Sequence, residues 1–193
     1  MSIQLHTPAT LSPVTLAEAK LHLRVELDVT VEDALIQAFI DAATLEAEHL
    51  MGRSIMAQKW RYTAAHFDEE IALIRPPVTA IDSVKYVEPV AGVLTEIDPL
   101  DYVLVTLSDY GSSVIPAYTS EWPSARDQSD AVQIVFSTGY ADAASVPAPI
   151  KTWIMLQVAA MYENRASEVI ATGSPVKLGF VDSLLDRYRG WSL

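Results

Sequence analysis

The chain contains no cysteine among its 193 residues. This absence excludes disulfide bonds, thiolate nucleophiles and zinc or iron–sulfur sites with cysteine ligands. It is typical of a protein from a reducing compartment. The first residues, MSIQLHTPATLSP, also lack a basic segment followed by an apolar run, so we expect no signal peptide.

Positive charge is scarce in this sequence. Thirteen Lys and Arg residues face 25 Asp and Glu residues, which gives a formal net charge of −12. A uniform nucleic-acid-binding surface is therefore excluded, because contact with phosphates requires clustered Lys and Arg. Of the three sections 1–54, 55–146 and 147–193, only the last has more Lys and Arg than Asp and Glu.

The motifs of common enzymes and metal sites are missing. The seven glycines do not have the spacing of a dinucleotide fingerprint or a P-loop, and there is no G-x-S-x-G elbow. Glu46 and His49 form one Glu-x-x-His motif, but a di-iron site requires two of them. The adjacent acids Asp68, Glu69 and Glu70 indicate a solvated loop. We therefore expect no enzyme, no catalytic residue, no cofactor and no metal.

The longest apolar segment follows Pro147 and Pro149, which favour the start of a helix. It is too short and too polar to span a membrane, because a span needs roughly 20 apolar residues. A stripe at helical spacing and an apolar neighbouring face predict a buried central helix at 149–165. The stripe consists of Ile150, Trp153, Ile154, Val158 and Met161.

Two further helices are predicted before this one, near 15–25 and 31–51. Thr15 and Glu18 have the spacing of a capping box. The second helix is predicted to start at Thr30, with Asp33 three residues later, and to stop at Gly52. Its predicted core stripe consists of Leu35, Ile36, Phe39, Ile40, Ala43, Ala47 and Leu50.

From Ser54 the apolar period changes from helical to alternating. Trp60 alternates with its polar neighbours, and Ile134 does so in the last predicted strand. Several short strands with turn residues between them predict a small antiparallel sheet or sandwich. The polar segment 119–130 is predicted to be a long exposed loop.

The predicted fold class is α+β. We expect one domain over 1–193, in which 1–54 and 147–193 form a small helical bundle. The bundle has three main helices and a short C-terminal helix. Residues 55–146 are expected to form a β-rich antiparallel insertion between the second and third helices.

Several stretches, in this order, resemble the phage head–tail connector family of the gp6-like kind. They are TLAEAKLHLRV, DALIQAFIDAATLEAEHLMGRSI, RPPVTAIDSVKYV, VQIVFSTGY and VPAPIKTWIMLQVAAMYENR. The resemblance covers the chain from about Leu11 to Arg189. Its motifs are mostly packing and turn residues, so their order and coverage carry it.

This resemblance implies a structural virion protein, present in the host cytoplasm during assembly. Such a connector forms a homo-oligomeric ring below the portal protein, extends the DNA channel and docks tail or stopper proteins. DNA is expected to pass through the channel without specific binding. The first alternative function is that of another phage head- or tail-completion protein. A small-molecule-binding α+β protein is a more distant alternative.

We expect the partner contact in the C-terminal segment, where aromatic and basic residues are concentrated beside a loop with glycine and proline. Aromatic and Arg residues are the types that most often dominate interface energy. The alternative is that Leu184, Leu185 and Tyr188 fold back on the central helix as core. The predicted portal-docking residues are Lys177, Phe180, Leu184, Leu185, Arg187, Tyr188, Arg189 and Trp191.

Overall fold

The computed structural model of this protein describes residues 1–108, 111–164 and 179–189. The chain forms two compact units, and each of them combines two separate stretches of sequence. One unit, here the β unit, consists of Met1–Thr10 and Met56–Ala141. The other, the helical unit, consists of Leu11–Ile55 and Asp142–Leu193.

The β unit contains two antiparallel sheets. The five-stranded sheet has the order β1-β2-β8-β4-β5, and the three-stranded sheet has the order β3-β7-β6. A short 3-10 helix, Pro99–Asp101, precedes β6. The strands are β1 Ser2–Thr7, β2 Gln58–Ala64, β3 Ile71–Leu73, β4 Val78–Val87, β5 Leu94–Glu96, β6 Tyr102–Ser108, β7 Gly111–Pro116 and β8 Val132–Thr138.

Alternation along the strands builds the core of the β unit. In β8, Val132, Ile134 and Phe136 are completely buried, while Gln133 and Val135 between them are half-buried. Buried residues of β3 and β7 belong to the same hydrophobic cluster. Each strand thus turns one row of side chains toward a shared interior, as expected for half-buried antiparallel sheets.

Two features of the β unit differ from the sequence predictions. Strand β1 was not predicted, because only Ile3 and Leu5 alternate in it; it pairs antiparallel with β2. The segment 119–130 is not wholly exposed, because Trp122 stacks on Phe67 with ring centroids 4.7 Å apart. The tryptophan anchors this segment to the hydrophobic cluster.

The helical unit contains four α-helices among its described residues, namely α1 Leu16–Leu23, α2 Asp33–Met51, α3 Ala148–Glu163 and α4 Gly179–Asp186. The predicted end of the third helix at residue 165 lies outside the described residues. The capping box at Thr15 and the left-handed Gly52 after α2 are present as predicted. Helix α2, however, starts at Asp33 with Glu32 as its N-cap, not at Thr30.

The reason for the later start of α2 is a buried lysine. Lys20, on α1, is 2% exposed. Its Nζ lies 2.5 Å from Asp33 Oδ1 and donates to the carbonyl oxygens of Val29, at 2.8 Å, and Leu27, at 3.3 Å. A buried ammonium must find such partners, because an unpaired one costs several kcal/mol in order of magnitude. The connection between the helices therefore folds around Lys20.

The predicted stripes of α2 and α3 are partly correct. Ile150, Trp153, Ile154 and Val158 are buried on α3, but Met161 is half-buried. The neighbouring face of α3 is also half-buried or exposed, so this helix is not covered all round as predicted. In α2, Leu50 was predicted to be in the core but is 38% exposed, and its neighbour Met51 is buried instead.

The coarse fold class is confirmed, with four described helices and antiparallel sheets in one chain. The β unit is not built from residues 55–146 alone, because β1 comes from before α1.

A carboxylate of α1 links two helices of the unit. Glu18 accepts from the Thr15 backbone N–H at 2.7 Å and from Lys151 Nζ, on α3, at 2.8 Å. The bond from Lys151, followed by the bond from Thr15, lowers the pKa of Glu18 to about 2 from its usual 4.5. Both bonds favour the ionised carboxylate.

We expect Gly139→Ala to destabilise the protein by more than about 2 kcal/mol. Gly139 has a φ of +87°, and an added Cβ would lie 2.2 Å from the Met56 carbonyl oxygen. Gly52→Ala is the matched control, since Gly52 also has a positive φ but open space around it. It should cost only the backbone strain, about 1 kcal/mol. Urea unfolding measures both; equal losses would contradict the role of the contact with Met56.

We expect Glu18 to make stability dependent on pH. A depressed folded-state pKa gives a stabilisation that is fully present above pH 4.5 and is lost as pH falls toward about 2. Thermal unfolding of wild type and Glu18→Gln should therefore differ most near neutral pH and converge near pH 2. Glu46→Gln, at an exposed position on α2, is the control and should track the wild type throughout. A constant difference for Glu18→Gln would contradict this assignment.

Candidate interaction surfaces

The described residues show no site for metal chemistry. No group of three His, Cys, Asp or Glu side chains in this part of the chain could hold a metal ion. Glu46 and His49 are both exposed on α2, and Asp68, Glu69 and Glu70 are exposed in the turn between β2 and β3. None of the described helices is long and apolar enough to cross a membrane.

The predicted C-terminal docking residues are divided between the inside and the outside of the helical unit. Leu185 is completely buried, Leu184, Tyr188 and Arg189 are half-buried, and Arg187 is exposed. Arg189 lies 3.4 Å from Asp186 in an ion pair. Phe180 belongs to α4, but its side chain is outside the described part, as are Lys177 and Trp191 altogether.

Helix α4 packs against α3 and α2. Leu185 therefore belongs to the core of the helical unit, which is the alternative considered for it from the sequence. Of the described docking residues, only Arg187 is exposed.

Sequence reasoning missed a hollow on the five-stranded sheet of the β unit. It is open to solvent and has a volume of about 410 Å³. Three cationic side chains and one carboxylate line it, in a chain whose net charge is −12. We call it the basic hollow; its lining consists of His6, Lys59, Arg61, Asp82, Ser83, Lys85, Leu94, Gln133 and Val135.

The cations of the basic hollow differ in their partners. Lys59 pairs with Asp82, which also accepts from Ser137 Oγ at 2.7 Å. Lys85 lies 3.2 Å from a carboxylate oxygen of Glu96. Arg61 instead contacts His6, with its Nη2 2.9 Å from the imidazole Nδ1. Among the described residues Arg61 has no carboxylate partner, so it is the cation available to an incoming anion.

The strand order explains why the hollow was missed. Lys59 and Arg61 alternate along β2, and their outward direction could be predicted from the buried Tyr62 between Arg61 and Thr63. Lys85 lies on β4, and β8 separates β2 from β4 in the sheet. The sequence pattern does not say that β8 lies between them, so it does not bring these cations together.

Comparison with known proteins bears on both units. Residues 13–87 match the family described as phage gp6-like head-tail connector protein. The resemblance predicted from the sequence is thereby confirmed. The matched range is less than half of the chain and runs from the residues before α1 to the end of β4.

Solved structures match over the whole chain. A chain from the neck of an empty GTA particle, computed with C6 symmetry, has a TM-score of 0.81 and 22% sequence identity. A chain from the virion of a native gene transfer agent particle has a TM-score of 0.78 and 23% identity. A chain from the neck of a native GTA particle, computed with C12 symmetry, gives 0.77 and 19%. Each match covers 100% of this chain and 97% of the other.

At these identities the structural matches establish a shared fold. No curated protein matches the sequence. The family match and the fold match together support a structural connector or adaptor protein, and such a family suggests a non-enzymatic role.

We expect Leu185→Ala to lower the free energy of unfolding by about 2–5 kcal/mol, because it removes a completely buried side chain and leaves a cavity. Leu184→Ala, at the half-buried neighbouring position, should cost about 1 kcal/mol. Thermal unfolding monitored by circular dichroism compares the two. Equal, small losses would show that α4 does not contribute its leucine to the core.

Proposed function

We propose that this protein is a head–tail connector of a phage or phage-like particle. In this role it forms a homo-oligomeric ring below the portal protein, extends the DNA channel and docks tail or stopper components. The observation that carries the proposal is the match of residues 13–87 to the connector family. Fold similarity over the whole chain to proteins of particle necks supports it.

The charge of the chain suits a channel through which DNA moves. A net charge of −12 repels the phosphate backbone, so DNA would slide past the ring without being held. We therefore propose that DNA passes without specific binding. The protein works in the virion, after a stage in the host cytoplasm during assembly, and it carries out no catalysis.

We further propose that both units serve one connector function over residues 1–193. In this arrangement the β unit, Met1–Thr10 and Met56–Ala141, and the helical unit, Leu11–Ile55 and Asp142–Leu193, act within the same ring subunit. The helical unit carries the portal contact near its C-terminal end. Among the described residues we assign Arg187, Tyr188 and Arg189 to this contact. The sequence prediction adds Lys177, Phe180 and Trp191.

The test of this function is assembly on the portal. The full chain, mixed with its portal ring, should give a second ring below the portal in electron micrographs. Arg187→Glu should weaken binding to the portal ring roughly 30-fold, as expected for an Arg anchor worth about 2 kcal/mol. Arg126→Glu makes the same charge change at an exposed site of the β unit and should bind like the wild type.

Thermal unfolding of both variants verifies that they are folded. Absence of any ring on the portal would overturn the connector function. Binding to a tail component with no affinity for the portal would instead indicate another head- or tail-completion protein.

A further inference from the structure

We propose that the basic hollow of one copy receives the acidic tip of a second copy, the tip being the turn Asp68–Glu70 between β2 and β3. The proposal rests on the connector function and deepens it, because it names a contact between neighbouring subunits of the ring. It assigns a role to two surfaces of the β unit that the functional argument above does not use.

The acidic tip is the counterpart of the hollow in charge. It is the only run of three consecutive acidic residues in the sequence, and all three are exposed. Asp68 lies 3.5 Å from His66, and both side chains are more than half exposed. Glu69 and Glu70 have no ion pair within the described residues. The tip therefore presents carboxylates that the β unit itself does not neutralise.

The hollow offers a cation that such a carboxylate can reach. Arg61 is the hollow's guanidinium without a carboxylate partner among the described residues, and its planar group can bind a carboxylate through two parallel hydrogen bonds. Lys59 and Lys85 flank it in the lining. A carboxylate entering the hollow would thus gain one bidentate partner, while Lys59 and Lys85 keep their own carboxylate partners.

The hollow and the tip belong to opposite sides of the five-stranded sheet. Arg61 lines the hollow, whereas the next residue, Tyr62, is buried in the hydrophobic cluster. The residues on either side of the tip, Phe67 and Ile71, pack in that same hydrophobic cluster. The turn then leads into β3, a strand of the other sheet. The β unit therefore presents the two surfaces in different directions.

Two complementary surfaces on different sides of one unit make a heterologous contact, in which each copy contributes a hollow to one neighbour and a tip to the other. Repeated contacts of this kind close into a ring when the rotation between copies permits it. A carboxylate partner also suits the hollow better than duplex DNA. Lys59 and Lys85 already have carboxylate partners, so Arg61 alone is open to an anion, which suits a single carboxylate, whereas a run of phosphates requires several clustered cations.

The absence of cysteine from the chain allows a direct test by crosslinking. Ser83→Cys places a thiol in the hollow, and Asp68→Cys places one in the tip, while Arg61, Glu69 and Glu70 remain. During assembly on the portal ring, a short bismaleimide should join the double variant into a ladder of oligomers that ends at the closed ring. A mixture of the two single variants should stop at dimers.

The control for proximity pairs Ser83→Cys with Ser124→Cys, an exposed position of the β unit outside the tip. This pair should give no ladder. A ladder from the control pair equal to that from the Ser83–Asp68 pair would overturn the proposal, and so would the absence of a ladder from the latter pair when rings have formed.

Charge reversal provides an independent test by light scattering and ring counts in micrographs. Arg61→Glu and Glu69→Lys should each weaken ring formation at least about tenfold, since close interfacial charge pairs couple strongly. The combination of both changes in one chain restores an opposite pair and should recover most of the loss. Arg126→Glu and Glu121→Lys, at exposed sites outside both surfaces, should assemble like the wild type.

Unchanged assembly of the Arg61 variant, or no recovery in the double variant, would overturn the contact and leave the connector function standing. Failure of the wild type itself to form rings would overturn both. A gel shift with duplex DNA completes the comparison. If Arg61→Glu lost DNA binding while its assembly stayed intact, the hollow would be a phosphate site instead.

Discussion

The position of strand β8 is the constraint on which the β unit depends. β8 is the last of the described strands in the sequence, yet it lies between β2 and β4 and pairs antiparallel with both. Its completely buried residues, Val132, Ile134 and Phe136, form the middle of the core. The same placement aligns the outward rows of β2 and β4 on one face. The basic hollow therefore exists because a distant strand completes the sheet.

The helical unit combines an apolar interior with polar contacts at the ends of its helices. Lys20 fixes the connection from α1 to α2, and Glu18 links α1 to α3 through Lys151. Both residues lie within one turn of each other on α1, on a helix of eight residues that could not persist alone in water. Short helices gain most of their stability from tertiary packing, and the contacts of Glu18 and Lys20 add to it.

Structural features that depend on residues close together in the sequence were mostly predicted. Features that depend on distant residues were not. The capping box at Thr15, the stop at Gly52 and the alternation of β8 each depend on neighbours in sequence, and all are present. The strand β1 and the basic hollow depend on residues far apart along the chain, and the partners of Lys20 lie in and just after the loop that follows α1, which has no periodic pattern. The sequence also left two alternatives for Leu185. An amphipathic helix pattern does not indicate whether the apolar face packs in its own domain or binds a partner.

The chain passes from the β unit to the helical unit and back, and this interleaving has a consequence for folding during synthesis. Once residue 138 has been made, all eight strands of the β unit exist, whereas α3 and α4 of the helical unit do not. The sheets can therefore close first, since domains generally fold as units in the order of synthesis. Until α3 follows, Lys151 is missing beside Glu18, and α1 and α2 lack the helix that covers them. The helical unit, which carries the proposed portal contact, is thus completed last.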